Sequence, residues 1–175
     1  MADQTDDQQA FPSSQGRDTI RVLVADEHAI VRQGILALLE TESDIQVVGE
    51  AQDGRQAIAE ALRLQPDVVL MDLVMPIVDR VEAIRRIRAG RPQVRVLVLT
   101  SFGGEDQVFP AIKAGALGYI LKDSTPSELV QAIHQVDRGE SALHPAVARK
   151  LVQELAQPSA RASAADLLTR HEFEV

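Results

Sequence analysis

Asp67-Val68-Val69-Leu70-Met71, followed at once by Asp72, is the stretch whose reading decides the fold. The run is apolar after its first residue, has strand length, and carries no polar side chain that would mark a solvent-facing surface. Such a segment reads as a strand buried on both faces, the signature of a parallel sheet covered by helices. Working outward, the same unit recurs. Before it stand a strand at Ile20–Ala25 and a helix over Ala29–Glu40, with Ile30, Gly34, Ile35, Leu38 and Leu39 at helical spacing. A second strand at Ile45–Gly49 and a helix over Gly54–Leu64, stopped by Pro66, complete the first half. After it come a helix near Asp79–Ala89, a strand at Val94–Leu99 and a helix between Asp106 and Ala114. A strand at Leu117–Leu121 and a helix over Ser124–Arg138 follow. Five β-then-α units in succession predict an α/β protein with one parallel sheet and right-handed crossovers.

The flanks differ from this body. Residues 1–18 are polar and acidic and read as a disordered tail, too poor in apolar groups to offset ordering entropy. The principal domain is expected over 19–140. A linker region, 141–165, follows, with a helix over His144–Gln157 whose Pro145 fits a first turn, then a Ser/Ala-rich segment over Pro158–Ala165. Residues 166–175 read as the start of another helix.

Composition narrows the function. With 175 residues, one main core is expected. Hydrophobic residues make up 45% but aromatics only 3%, so Val, Leu, Ile and Ala must fill that core. A net charge of −8 argues against this chain as a nucleic-acid binder. The chain has no cysteine, which excludes disulfide and thiolate chemistry. No stretch looks like a signal peptide or a bilayer span, so the expectation is a soluble cytoplasmic protein with no membrane partner.

Chemistry collects at the carboxyl ends of the strands, where open α/β sheets bind ligands. The first strand ends in Asp26-Glu27, the third in Asp72, the fourth in Thr100-Ser101, the fifth in Lys122-Asp123. Clustered carboxylates repel unless a cation neutralises them. An oxygen donor set points to a hard divalent ion, Mg²⁺. Asp72 at the tip of a central strand then suits a nucleophile that forms an acyl phosphate, with Lys122 and Thr100 able to bind phosphate oxygens. Blander readings stand beside these. Asp26 and Glu27 suit the start of a helix, Thr100 and Ser101 suit caps, Tyr119 suits packing on the sheet edge, and Lys122 alone suits a solvated surface. The histidines, 28, 134, 144 and 171, are scattered without metal-ligand spacing and read as surface or capping residues.

Asp26-Glu27, Met71-Asp72-Leu73-Val74-Met75-Pro76, Leu99-Thr100-Ser101-Phe102 and Gly115-Ala116-Leu117-Gly118-Tyr119-Ile120-Leu121-Lys122-Asp123 together resemble the receiver domains of two-component response regulators, in detail those of the NarL/LuxR (NarL/FixJ) family. The resemblance covers about Thr19 to Glu140. It implies a flavodoxin-like doubly wound (βα)5 sheet of strand order 2-1-3-4-5. It further implies Asp72 as phospho-acceptor, and Mg²⁺ held by Asp26, Glu27, Asp72 and the backbone carbonyl of Val74. Lys122 would pair with the phosphoryl group, and Thr100 and Tyr119 would be the switch positions. A sensor histidine kinase as phosphodonor and a homodimer are the implied partners.

Leu168-Thr169-Arg170-His171-Glu172-Phe173-Glu174-Val175 resembles the opening of the same family's helix-turn-helix domain. The expectation is therefore a piece that stops at the start of that domain, belonging to a transcriptional regulator that binds DNA through residues missing here.

Three positions depart from the family pattern. Arg80 stands where Gly is usual; Asp79 and Glu82 form a plausible capping box that would make Arg80 the first helical residue, whereas a positive φ would strain it by roughly 1–3 kcal/mol. Pro110 falls inside the usual fourth helix, which must start near Phe109 or kink. Glu27 replaces the more frequent second Asp. These departures leave a pseudo-receiver, regulated by contact without phosphorylation, as the alternative. A phosphatase using an aspartyl nucleophile is disfavoured because Val74 stands where its second Asp belongs, and the absence of a Gly-rich loop after the first strand disfavours a nucleotide-binding fold. Slow self-hydrolysis of the acyl phosphate is the only turnover expected.

Overall fold

The computed structural model describes residues 19–73, 80–101 and 108–156. The elements alternate β1 (Ile20–Ala25), α1 (Ala29–Glu40), β2 (Ile45–Ala51), α2 (Gly54–Leu64), β3 (Val68–Asp72), α3 (Arg80–Gly90), β4 (Arg95–Thr100), α4 (Val108–Ala114), β5 (Ala116–Leu121), α5 (Pro126–Asp137), β6 (Ala142–Leu143) and α6 (Pro145–Leu155). The strands form one sheet in the order β2-β1-β3-β4-β5-β6, and every pairing is parallel. The expected 2-1-3-4-5 order is present, with β6 added beyond β5.

The apolar runs divide by strand periodicity, since successive side chains point to opposite faces. Leu23, Ala25, Val69, Met71, Val96, Val98, Tyr119 and Leu121 join Ala57 and Ala61 of α2, Ala83, Ile84 and Ile87 of α3, Ala111 of α4 and Val147 of α6 in one core layer. Val22, Val24, Val68, Leu70, Leu97, Leu99 and Ile120 join Ile35 and Leu39 of α1 and Leu129, Ala132, Ile133 and Val136 of α5 in the other. Burying both faces of β3 is what its uninterrupted apolar run predicts, and all five of its residues are buried.

Helix ends follow local chemistry. Asp53 caps α2 by accepting from the Gln56 N–H at 2.8 Å. Thr125 and Glu128 form a reciprocal capping box on α5, with Pro126 as its first residue. Arg80 opens α3 in helical conformation, so the positive-φ strain does not arise; Asp79 lies outside the described residues, and both Glu82 oxygens accept from arginines, Arg85 and Arg86. Among the described residues helix α4 runs over Val108–Ala114 and contains Pro110; residues 102–107 lie outside the described residues.

The unforeseen element is β6. Its two residues pair with Gly118 and Tyr119, and the His144 N–H donates to the Tyr119 carbonyl at 3.0 Å. The packing thus runs on past Glu140 into α6. The N-terminal tail, the Ser/Ala-rich segment and the helix-turn-helix resemblance over 166–175 lie outside the described residues. No helix among the described residues is long and apolar enough to cross a membrane.

Candidate functional site

Strand register delivers the polar residues to one rim. The Asp26 N–H donates to the Ala51 carbonyl at 3.0 Å and the Lys122 N–H to the Thr100 carbonyl at 2.8 Å, so the ladder extends one residue past β1 and past β5. Asp72 ends β3 opposite Leu99. Asp26, Asp72 and Thr100 are all buried, a costly state for carboxylates without a cation beside them.

Lys122 supplies that cation. Its Nζ lies 3.0 Å from Asp72 Oδ2 and 3.1 Å from Asp26 Oδ2. Partial burial acts to lower its pKa, but the hydrogen bond to Asp72 and the pairing with Asp26 outweigh that and hold it above the ordinary lysine range. One ammonium thus faces two buried carboxylates. Asp26 Oδ2 is sealed from solvent and meets Lys122 as an ion pair, off the line of a hydrogen bond. A buried carboxylate oxygen left in that condition, beside a second carboxylate, fits a further cation at the site.

The loop after β1 is shaped to hold Asp26. Asp26 Oδ1 accepts the His28 N–H at 2.8 Å, and His28 is the N-cap residue of α1 without capping through its own side chain. Arg32, one turn into α1, donates from Nη1 to the Asp26 carbonyl at 2.8 Å and from Nε to Glu50 Oε1 at 2.9 Å. The loop is therefore tied to the end of β2. No acid occupies the first turn of α1, so Asp26 and Glu27 precede the helix rather than begin it.

The atoms that converge as potential metal donors are those of Asp26, His28 and Asp72, all within 4.8 Å of one another. His28 read from sequence as a surface or capping residue, and it is exposed at the N-cap position of α1, with Nδ1 3.4 Å from Asp26 Oδ1. Glu27 sits at the rim, its Oε1 3.7 Å from His28 Nε2. The Val74 carbonyl lies outside the described residues. Thr100 ends β4 beside Lys122, whereas Tyr119 is buried in the core layer that contains Ala111 and Val147. Of the other histidines, His144 caps α6 by accepting the Ala146 N–H at 3.1 Å, and His134 pairs with Asp44; His171 lies outside the described residues. Sequence reasoning missed the contacts of His28 and Arg32 with Asp26. The only available signal was their closeness in sequence to Asp26.

A parallel α/β sheet with acids at the ends of strands one and three, a hydroxyl after the fourth and a lysine after the fifth defines the receiver class of signalling domain. The chain belongs to the response regulator receiver family: the family model described as "Response regulator receiver domain" matches residues 22–134. It is similar to the transcriptional regulatory protein LiaR of Bacillus subtilis, 43% identical over 156 residues, 89% of this chain and 74% of LiaR. The response regulator protein VraR of Staphylococcus aureus is 43% identical over 157 residues, 90% of this chain and 74% of VraR. Among solved structures, a LuxR-family two-component response regulator from Aurantimonas sp. matches with a TM-score of 0.73 and 37% identity, over 79% of this chain and 99% of that one. The receiver domain of the NarL response regulator from Mycobacterium tuberculosis matches with a TM-score of 0.67 and 34% identity, over 70% of this chain and 99% of that one. The receiver is accordingly of the NarL/LuxR type, and its work is two-component signalling.

Proposed function

We propose that this chain is a phosphorylation-dependent switch that accepts a phosphoryl group on Asp72 from the phosphohistidine of a sensor kinase. The observation that carries the reading is the buried Asp26–Lys122–Asp72 arrangement at the strand ends, with Lys122 Nζ 3.0 Å from the proposed nucleophile. An Asp72 carboxylate oxygen attacks phosphorus in line while the P–N bond to the donor imidazole breaks, and the imidazole leaves with the electron pair. Lys122 then pairs with a phosphoryl oxygen instead of the oxygen consumed in the acyl phosphate. Thr100 donates its hydroxyl to another phosphoryl oxygen, and Tyr119 changes its exposure as the β4–β5 side rearranges.

Asp26, Glu27, Asp72 and the Val74 carbonyl would hold Mg²⁺. When bound, that ion neutralises charge on the incoming phosphoryl oxygens. Water slowly hydrolyses the acyl phosphate and ends the signal; no other substrate is turned over. In this reading residues 19–140 are the receiver, flanked by a tail over 1–18 and a linker over 141–165, and 166–175 open a LuxR-type helix-turn-helix. The output is DNA binding through that domain, with phosphorylation favouring a homodimer.

Incubation with Mg²⁺ and radiolabelled acetyl phosphate tests the assignment. Wild type should take label that chelation prevents, and Asp72→Asn should take none while melting as a folded protein. Equal labelling of the two would overturn it.

A further inference from the structure

We propose that His28 is a metal donor at this site, so that the pocket takes a first-row transition cation such as Co²⁺ through an imidazole nitrogen together with Asp26 and Asp72. The inference deepens the switch reading and rests on it, since that reading already puts a divalent ion at these carboxylates. Three observations converge. The donor atoms of Asp26, His28 and Asp72 all lie within 4.8 Å of one another. Octahedral coordination at about 2.1 Å spreads its donors over about 3 to 4 Å, so small side-chain adjustments close the three around one ion. Asp26 Oδ2 is buried, with the Lys122 ammonium 3.1 Å away beside it, a donor already stripped of water.

The third observation concerns how the ring is held. His28 Nδ1 faces Asp26 Oδ1 at 3.4 Å on the site side, and Nε2 faces Glu27 Oε1 at 3.7 Å on the other. At 3.7 Å Glu27 does not hydrogen-bond the ring, but a carboxylate on the far side of an imidazole is placed to orient it once the nearer nitrogen binds a metal. Backbone geometry fixes the base of the side chain as well, since the His28 N–H is bonded to Asp26 Oδ1. The ring is exposed at the rim.

An imidazole changes selectivity. Mg²⁺ favours oxygen donors and gains little from nitrogen, whereas Co²⁺, Ni²⁺ and Zn²⁺ bind imidazole well. His28 therefore adds to transition-metal affinity and leaves Mg²⁺ affinity nearly unchanged.

The test titrates the full chain at about pH 8 with Co²⁺ and, separately, Mg²⁺, by calorimetry and, for Co²⁺, by its visible absorption. Wild type, His28→Gln and Asp72→Asn are compared. In His28→Gln, Co²⁺ affinity should fall by about tenfold or more and the Co²⁺ band should shift as a nitrogen donor is replaced, while Mg²⁺ affinity changes by less than about threefold. Equal shifts for both ions, or none for either, would overturn the role of His28 and leave the switch reading standing. Loss of Mg²⁺ binding from wild type, or its survival at full strength in Asp72→Asn, would overturn the switch reading itself. Because His28 is exposed and its side chain caps nothing, His28→Gln should melt like wild type.

Discussion

With Lys122 removed, the buried carboxylates of Asp26 and Asp72 would lose the ammonium that faces both of them. Breaking a buried pair by removing one partner costs several kcal/mol, less where the site can admit water or ions. Lys122→Met is therefore expected to lower the stability of the metal-free protein by about 1–3 kcal/mol in urea unfolding. Adding Asp72→Asn to that variant removes one of the two repelling charges and should restore part of the loss. A double variant less stable than Lys122→Met would contradict the electrostatic account. A milder effect is expected at Asp44, where the hydrogen bond from His134 holds the carboxyl below the ordinary aspartate range. A depressed folded pKa contributes stability above the unfolded value of about 4 and loses it as pH falls through the folded one. The pair is largely exposed, so Asp44→Asn should cost under about 1 kcal/mol at neutral pH and nothing at a pH below both values. A cost unchanged in strong acid would refute that hydrogen bond to the carboxylate as the cause.

The elements differ in how far sequence alone could place them. Strand β3 was legible because burial on both faces leaves an uninterrupted apolar run, β1 and β4 because their runs are broken only by Arg21 and Arg95, and Asp26, Asp72, Thr100 and Lys122 were legible as the polar residues that end such runs. His28 and Arg32 were not, because what they touch depends on how the loop after β1 turns and on where Glu50 falls at the end of β2. Strand β6 was not legible either. Two residues, Ala142 and Leu143, show no period, and their pairing depends on a neighbour that lacks a side chain. A Cβ on Gly118 would meet Leu97 Cδ1 at 2.6 Å, Val136 Cγ2 at 2.9 Å and the Ala142 carbonyl oxygen at 3.1 Å. The first two are side-chain atoms that can give a little, but the third is the backbone of β6. Gly118→Ala is thus expected to destabilise the protein by about 1–3 kcal/mol through overpacking. The His144 amide, which donates to the Tyr119 carbonyl, should lose hydrogen-exchange protection before the amides of β1 do. Protection lost equally throughout would mean that β6 is not held by this close approach.

On the scale of the whole molecule, the two core layers are unequal in what they connect. The layer under α1 and α5 closes on itself, but the other runs from α2 through α3 and α4 to α6, and Tyr119 and Val147 belong to it together. Helix α6 touches α4 as well, so the end of the described chain rests on the side of the sheet that holds the proposed switch tyrosine. Val147 is the one residue of α6 buried there. Val147→Ala removes two buried methyl groups and should cost about 1–2 kcal/mol. Because α6 has no other buried anchor among the described residues, that loss belongs to opening of α6 and β6 more than to global unfolding. Native-state exchange should then quicken about 5- to 30-fold for α6 amides, with the amides of β1 and β3 slowed or quickened only as far as global stability changes. If instead all amides shift alike, α6 opens only with the whole domain, and the last helix is as much a part of the core as the five that precede it.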